Sequence, residues 1–165
     1  MIDCKLFEEV LRIDSTSGRE RELAEFLLGR LEAPSKESFE VGDGSLNLLF
    51  KWGSTPKVMF CSHLDTVPPY IPPVFGREAV SGRGACDAKG QWICMYSACK
   101  ELERRGLDGF ALLLVSGEEV GSVGAKAFSG SLKAPLLVVG EPTDNTPVCR
   151  VCGRPRNRVL PDNHY

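Results

Sequence analysis

Apolar residues recur along this chain with two different periods, which separate predicted helices from predicted strands. Helical spacing covers residues 5–13 and then the stretch that ends near Leu31. Ser17 is the predicted N-cap of the second helix, and Glu20 is its predicted partner in a capping box. Further helices are expected at residues 91–105, with Ile93, Met95, Ala98 and Leu102 facing inward, and at about residues 122–128.

Five segments between the helices have the character of strands. Two of them follow the second helix. Residues 110–115 are a near-continuous apolar run typical of a strand covered on both faces, and residues 135–139 are another apolar strand. The predicted strands are residues 36–41, 46–52, 57–61, 110–115 and 135–139. This alternation predicts an α/β domain with a mixed, largely parallel central sheet flanked by helices. A long loop is expected between Pro68 and Arg83.

Acidic residues and one histidine follow the strands. Strand 57–61 runs into His63 and Asp65 before Pro68 and Pro69 stop it, and alternate residues of a strand share a face. The other candidates at strand ends are Glu118, Glu119 and Glu141, and Asp87 lies in a glycine-rich turn before a helix. In such sheets, ligands bind beyond the carboxyl ends of the strands.

Each of these motifs alone has an ordinary structural explanation. Glu118 and Glu119 alone are typical of a solvated surface pair, Asp87 of turn chemistry, and Glu141 of a strand exit. Their joint occurrence around His63 favours a metal site, because imidazole and carboxylate groups are the usual ligands of catalytic zinc. A carboxylate can bridge two metals, and adjacent glutamates can supply one ligand and one base.

Composition narrows the function classes. The chain has 165 residues, 42% hydrophobic and 25% charged, with a formal net charge of -2. This balance predicts a globular domain without the basic density of a nucleic-acid interface, and no apolar run reaches the length of a membrane span. The seven cysteines are an odd number and mostly isolated, which indicates reduced thiols and a cytoplasmic protein.

Four motifs together resemble the di-zinc amidohydrolase family of acetylornithine deacetylase, succinyl-diaminopimelate desuccinylase, aminoacylase-1 and glutamate carboxypeptidase. They begin at Ser62, Gly82, Gly117 and Gly140, and read SHLDTVP, GRGACDAKG, GEEVGS and GEPT. The resemblance covers roughly residues 1–145. It implies a three-layer fold like that of the zinc exopeptidases, here apparently incomplete.

The resemblance also implies a role for each site residue. His63 and Glu141 would bind one zinc, Glu119 the second, and Asp87 would bridge both. Asp65 would orient His63, and Glu118 would be the general base that takes a proton from the bridging water. The family often holds the peptide after the bridging aspartate in cis, here Asp87–Ala88. Cobalt or manganese suits the same ligands.

The chain departs from the family near Asn145. Residues 146–165 read as an irregular tail, and the lid or dimerisation domain and the family's late histidine ligand are absent. His164 lacks matching surroundings, so no metal role is transferred to it. Cys149 and Cys152 form a lone Cys-x-x-Cys, a weak signal for zinc or redox chemistry. The expectation is a truncated chain of reduced activity.

The implied reaction is hydrolysis of the amide bond of a small N-acyl amino acid or dipeptide. A dipeptidase or carboxypeptidase of the same family remains an alternative, as does a non-catalytic zinc-binding or interaction fragment. No nucleic-acid or membrane partner is expected, and a homodimer is compatible with a full-length form.

Overall fold

The computed structural model describes residues 3–128 and 134–142, which form four α-helices around a five-stranded sheet and a small hairpin. The helices are α1 (Cys4–Leu11), α2 (Arg21–Arg30), α3 (Lys89–Arg104) and α4 (Val123–Ala127). The strands are β1 (Ser35–Val41), β2 (Ser45–Trp52), β3 (Val58–His63), β4 (Val74–Phe75), β5 (Val80–Ser81), β6 (Phe110–Val115) and β7 (Leu136–Val139). The predicted tail at 146–165 lies outside the described residues.

The main sheet is mixed, as predicted, with strand order β1-β2-β6-β3-β7. β3 lies parallel to both β6 and β7, whereas β2 is antiparallel to β1 and to β6. The carboxyl ends of β6, β3 and β7 therefore meet at one edge of the sheet. The side chains of β7 are between 38% and 54% exposed, so this strand is an open border of the described sheet.

The two faces of the sheet bury different amounts of apolar surface. Alternate residues of β2 and β6 face α1, α2 and α3 in the larger core, where Trp52 stacks on Phe110 with ring centroids 5.1 Å apart. The opposite face carries a smaller cluster around Leu49 and Leu113. Phe128, which follows α4, packs edge-on against Phe39 there. Because β6 is buried along its whole length, it holds the parallel part of the sheet rigidly.

The predicted cap of the second helix is wrong. α2 begins after Glu20, and no side chain caps its first turn. The Ser17 hydroxyl instead donates to the Asp65 carboxylate at 3.0 Å, and Glu20 accepts a hydrogen bond from Ser45 at 2.9 Å. Each of these bonds includes a buried carboxylate, which needs hydrogen-bond donors and binds them more strongly than uncharged acceptors do. The two groups therefore bond to distant partners in the fold and not to the start of α2.

Two further predictions need correction. The inward face of α3 is centred on Trp92, Tyr96 and Cys99, while Ala98 is exposed, because the larger apolar side chains take the buried positions. Met95 and Leu102 pack only at the border of the core. The segment expected to be one long loop also contains the two-stranded hairpin of β4 and β5. In the described residues, no helix is long and apolar enough to span a membrane.

Candidate metal centre

Three neighbouring strands deliver the candidate side chains to one edge of the sheet. His63 is the last residue of β3, Glu118 and Glu119 follow β6, and Glu141 follows β7. Asp87 comes from the other direction, just before α3, and its Oδ1 lies 3.0 Å from Nε2 of His63. The fold thus brings together all the side chains that the sequence predicts for the site.

His63 lies at the middle of two groups that fit a metal ion. One group contains His63, Glu118 and Glu119, and the other contains His63, Asp87 and Glu141; within each, the ligand atoms lie within 4.8 Å of one another. Among the described residues, Asp87 thus groups with Glu141 and His63, while Glu119 groups with Glu118. The bridging position of Asp87 stays a prediction.

The imidazole of His63 is buried and oriented from one side. Its Nδ1 lies 2.9 Å from the backbone oxygen of Asp65 and 3.4 Å from the Asp65 carboxylate, so Nε2 is directed to Asp87. Burial alone would lower the pKa of His63, but Asp65, Asp87 and Glu141 outweigh it and raise the pKa to about 12. The metal-free site therefore holds a proton where a cation would bind.

Asp65 is fully buried and organises the residues around it. One carboxylate oxygen accepts the Glu118 amide at 2.9 Å, and the other accepts the Glu119 amide at 3.1 Å and the Ser17 hydroxyl at 3.0 Å. Burial would raise the pKa of Asp65, but the bonds from His63, the Glu118 amide and Ser17 lower it. The carboxylate is thus ionised and holds the loop after β6 against the end of β3.

The two glutamates of that loop are half-buried, and both have raised pKa values. For Glu118, burial is the main cause and the negative charge of Glu141 adds to it, although His63 opposes both. For Glu119, burial is again first and the charge of Asp87 follows. A carboxylate with a raised pKa is a better proton acceptor, which suits a general base.

The turn that carries Asp87 is fixed by a buried lysine. Lys89 is 1% exposed, and its Nζ donates to the backbone oxygens of Val10 at 2.9 Å and Ile13 at 2.7 Å. Burial lowers the pKa of this ammonium to about 8, although Asp14 opposes the shift. The two bonds from Lys89 tie the end of α1 to the start of α3. The Asp87–Ala88 peptide in the same turn is cis, as the resemblance implies.

The donor set fits a divalent metal of the zinc type. One imidazole nitrogen and several carboxylate oxygens converge, and these are the atoms that zinc, cobalt and manganese accept. The histidine also has the oriented second nitrogen that metal-binding histidines show. Five acidic side chains lie around one imidazole, and a bound cation would reduce the repulsion among them.

Sequence reasoning missed three residues that hold this site in place. Ser17 is a predicted helix cap but bonds to Asp65 beside the site, and Lys89 has no predicted role but ties the turn after Asp87 to the end of α1. Asn47 has no predicted role, although an amide side chain within an apolar strand indicates a specific hydrogen-bond partner.

Comparison with known sequences supports a single family. The model of the peptidase family M20/M25/M40 matches residues 59–152. A probable carboxypeptidase of Aspergillus terreus is 35% identical over 160 residues, which cover 82% of this chain and 37% of that protein. A LysW-lysine/LysW-ornithine hydrolase of Saccharolobus islandicus is 35% identical over 119 residues, which cover 70% of this chain and 30% of that protein.

Solved structures show the same fold. An M20 family metallo-carboxypeptidase from Sulfolobus solfataricus aligns with a TM-score of 0.67 at 20% identity, covering 83% of this chain and 36% of its own. Human carnosine dipeptidase 1 aligns with a TM-score of 0.65 at 22% identity, covering 84% of this chain and 38% of its own. At these identities the likeness concerns the fold alone.

Proposed function

The chain belongs to the peptidase family M20/M25/M40, and from this membership we propose that it forms the metal-binding part of a hydrolase that cleaves amide bonds in small substrates. The proposed substrates are N-acyl amino acids, and the proposed metal is zinc. The chain spans 37% and 38% of the lengths of the first two curated relatives it matches. The activity proposed is therefore that of a protein in which this segment is joined to the remainder of such a domain.

The observation that carries the proposal is the convergence of His63, at the end of β3, with four half-buried carboxyl groups: three follow β6 and β7, and one lies in the turn before α3. Mutual repulsion of these carboxylates destabilises the metal-free fold, and a bound cation would relieve it. Clusters of this kind are typical of functional sites. A bound zinc would supply a Lewis acid that polarises the amide carbonyl and lowers the pKa of a water molecule.

The residues of the chain have distinct proposed roles around that metal. His63, Asp87, Glu119 and Glu141 would hold it. Glu118 would accept a proton from the attacking water and return it to the leaving amine, a role that its raised pKa supports. Asp65 would act as a positioning residue, because its bonds go to His63 and to the Glu118 and Glu119 amides.

A dipeptide or a peptide with a free carboxyl end is the second candidate substrate. It is favoured by the names of relatives, which include probable carboxypeptidases and, among structures, a carnosine dipeptidase. The described site contains no feature that separates an acyl group from an aminoacyl group. Localisation in the cytoplasm is part of the proposal and is supported by the odd number of isolated cysteines. A homodimer of the complete form is also proposed.

The test begins with metal binding by the 165-residue chain after removal of metals with a chelator. Zinc titration is followed by a panel of N-acetyl and N-succinyl amino acids and dipeptides. Glu118→Gln should keep zinc within a few-fold and abolish any turnover, whereas Glu119→Gln should weaken zinc. Glu101→Gln, on the solvent face of α3, is the control and should change neither.

Three outcomes separate the alternatives. Turnover of acylated amino acids that depends on Glu118 supports the proposal, and turnover of dipeptides alone favours the peptidase. Zinc binding without turnover, both here and after fusion to the remaining segment of a relative, favours a non-catalytic metal-binding fragment. If the chain binds no zinc, the proposed function is wrong.

A further inference from the structure

Asn47 lies on β2, a strand that contributes no candidate ligand, yet its side chain reaches the loop that carries two of them. The residue is 1% exposed. Its Oδ1 accepts the amide of Ser116 at 3.0 Å, and its Nδ2 donates to the backbone oxygen of Gly124 at 2.8 Å. Both polar ends of one buried amide are therefore used, one on each end of the segment 116–124.

That segment leaves β6 and returns to the same point. The Gly124 amide donates to the Ser116 oxygen at 2.8 Å, and the Val123 amide donates to the Gly117 oxygen at 2.9 Å. The Ser116 hydroxyl also donates to the oxygen of Leu46 beside Asn47 at 2.8 Å. The base of the loop is thus a small hydrogen-bonded ring that includes Asn47, and the two glutamates lie at its far side.

The start of α4 is pressed against this ring. A side chain at Gly124 would place its Cβ well under 3.0 Å from both the Ser116 oxygen and Oδ1 of Asn47. Real Cβ atoms do not approach so closely, so the residue has to be glycine for the ring to close. The close packing at Gly124 involves the same Ser116 and Asn47 atoms as the hydrogen bonds, so the base of the loop is built around the Asn47 amide.

We propose that Asn47 is a positioning residue that fixes the base of the loop 116–124 and so sets where Glu118 and Glu119 stand relative to His63. Asp65 holds the other side of the loop through the Glu118 and Glu119 amides. With both supports in place, the loop has little freedom to move. Without Asn47, the loop stays attached at Asp65 but turns about that point, because the buried Ser116 amide loses its acceptor and the Gly124 oxygen keeps only the Phe128 amide.

The consequence for metal binding rests on the proposed function. Glu119, a proposed ligand, stands on this loop, whereas Asp87 and Glu141 come from other parts of the fold. Loss of a residue that orients metal ligands weakens affinity by about tenfold to a hundredfold. Asn47 variants should therefore weaken metal binding by about tenfold or more.

The test compares Asn47→Ala with Ser45→Ala. Ser45 lies on the same strand, is also buried, and bonds to Glu20 away from the loop, so its replacement removes a buried hydrogen bond without a contact to the loop. Amide hydrogen exchange on the metal-free chain is the first readout. In Asn47→Ala, the amides of Glu118 and Glu119 should exchange about tenfold faster or more, whereas Ser45→Ala should leave their rates unchanged relative to the core of β6.

Cobalt titration followed by visible absorption is the second readout, and it compares the affinity of the unchanged chain with that of Asn47→Ala and of Ser45→Ala. The affinity of Ser45→Ala should stay within about twofold of the unchanged chain. If Asn47→Ala does not fold, Asn47→Ser takes its place, because its shorter side chain keeps a polar group but cannot bridge Ser116 and Gly124. A Ser116 amide that exchanges in the unchanged chain as fast as an exposed loop amide would overturn the inference without any variant.

The two hypotheses fail in different ways. If the unchanged chain binds no cobalt, the proposed function is wrong, and hydrogen exchange alone decides on Asn47. If cobalt binds and Asn47→Ala weakens its affinity no more than Ser45→Ala does, Asn47 is merely structural and the inference is wrong.

Discussion

Replacing Asp65 by asparagine tests the role of the most connected side chain near the site. Asp65 is 0% exposed, and its two oxygens accept from the Glu118 amide at 2.9 Å and the Glu119 amide at 3.1 Å. The Ser17 hydroxyl adds a third bond. Asparagine has the same shape but only one oxygen, so its amide nitrogen must face one of the two backbone donors in either orientation.

The magnitude follows from that count. The Ser17 hydroxyl can rotate and accept a bond from the new amide, so its partner is kept. One backbone amide loses a bond to a charged acceptor and stays buried without a partner, which costs roughly 1.5–3 kcal/mol. The charged His63 also loses the nearby negative carboxylate. We expect Asp65→Asn to lower the free energy of unfolding of the metal-free chain by about 3 kcal/mol.

Urea unfolding in the presence of a chelator measures this loss without any contribution from metal. Glu101→Gln is the control, because Glu101 also accepts from several donors, on Arg104 and Arg105, but lies at the surface. Exposed ion pairs contribute little. If the two variants lose the same stability, the buried network around Asp65 does not hold the loop, and the reasoning is refuted.

Three further predictions concern pH, thiols and the core. The pKa of His63 is raised from 6.5 to about 12, so its charge stabilises the metal-free fold fully below pH 6.5 and less and less as the pH rises towards 12. Zinc must displace that proton, so calorimetry in two buffers at pH 7 should find about one proton released from His63 per zinc bound. Zinc should also bind more tightly at higher pH. If no proton is released, His63 is not a ligand. Iodoacetamide followed by peptide mass mapping should label the exposed Cys94 and spare the buried Cys99, whose pKa burial raises to about 12; equal labelling would show that α3 does not pack as described. Phe50→Ala should cost about 3–5 kcal/mol in urea unfolding, and Phe75→Ala, which is 37% exposed on the hairpin, less than about 1 kcal/mol; the reverse order would place the core elsewhere.

The pattern of apolar residues was enough to predict most of the sheet and the edge at which the candidate ligands meet. Strands β3 and β6 are apolar runs whose ends carry the candidate residues, and parallel pairing then brings His63, Glu118 and Glu119 together. This much follows from local periodicity and from the rule that ligands bind beyond the carboxyl ends of such strands. Glu141 was a candidate at the end of a third apolar strand, and Asp87 in a glycine-rich turn before a helix. The family motifs added the roles of these two residues as ligands.

The supports of the site could not be predicted, because they depend on contacts between residues far apart in the chain. A serine before a helix is a reasonable cap, and only the folded chain shows that the Ser17 hydroxyl lies beside the stronger acceptor Asp65. Lys89 and Asn47 satisfy backbone groups of α1 and of the loop after β6 respectively. For Asn47, the position of a polar side chain within an apolar strand already indicates that it has a specific partner.

A crystal structure of the chain soaked with zinc, with anomalous diffraction collected at the zinc edge, tests most directly whether His63 binds a metal. We expect a peak about 2.0–2.1 Å from Nε2 of His63, with carboxylate oxygens of Asp87 and Glu141 among the ligands. A second peak beside Glu119 would show that a second metal binds there. Zinc bound elsewhere, or no peak near His63, would show that these residues do not form a metal site.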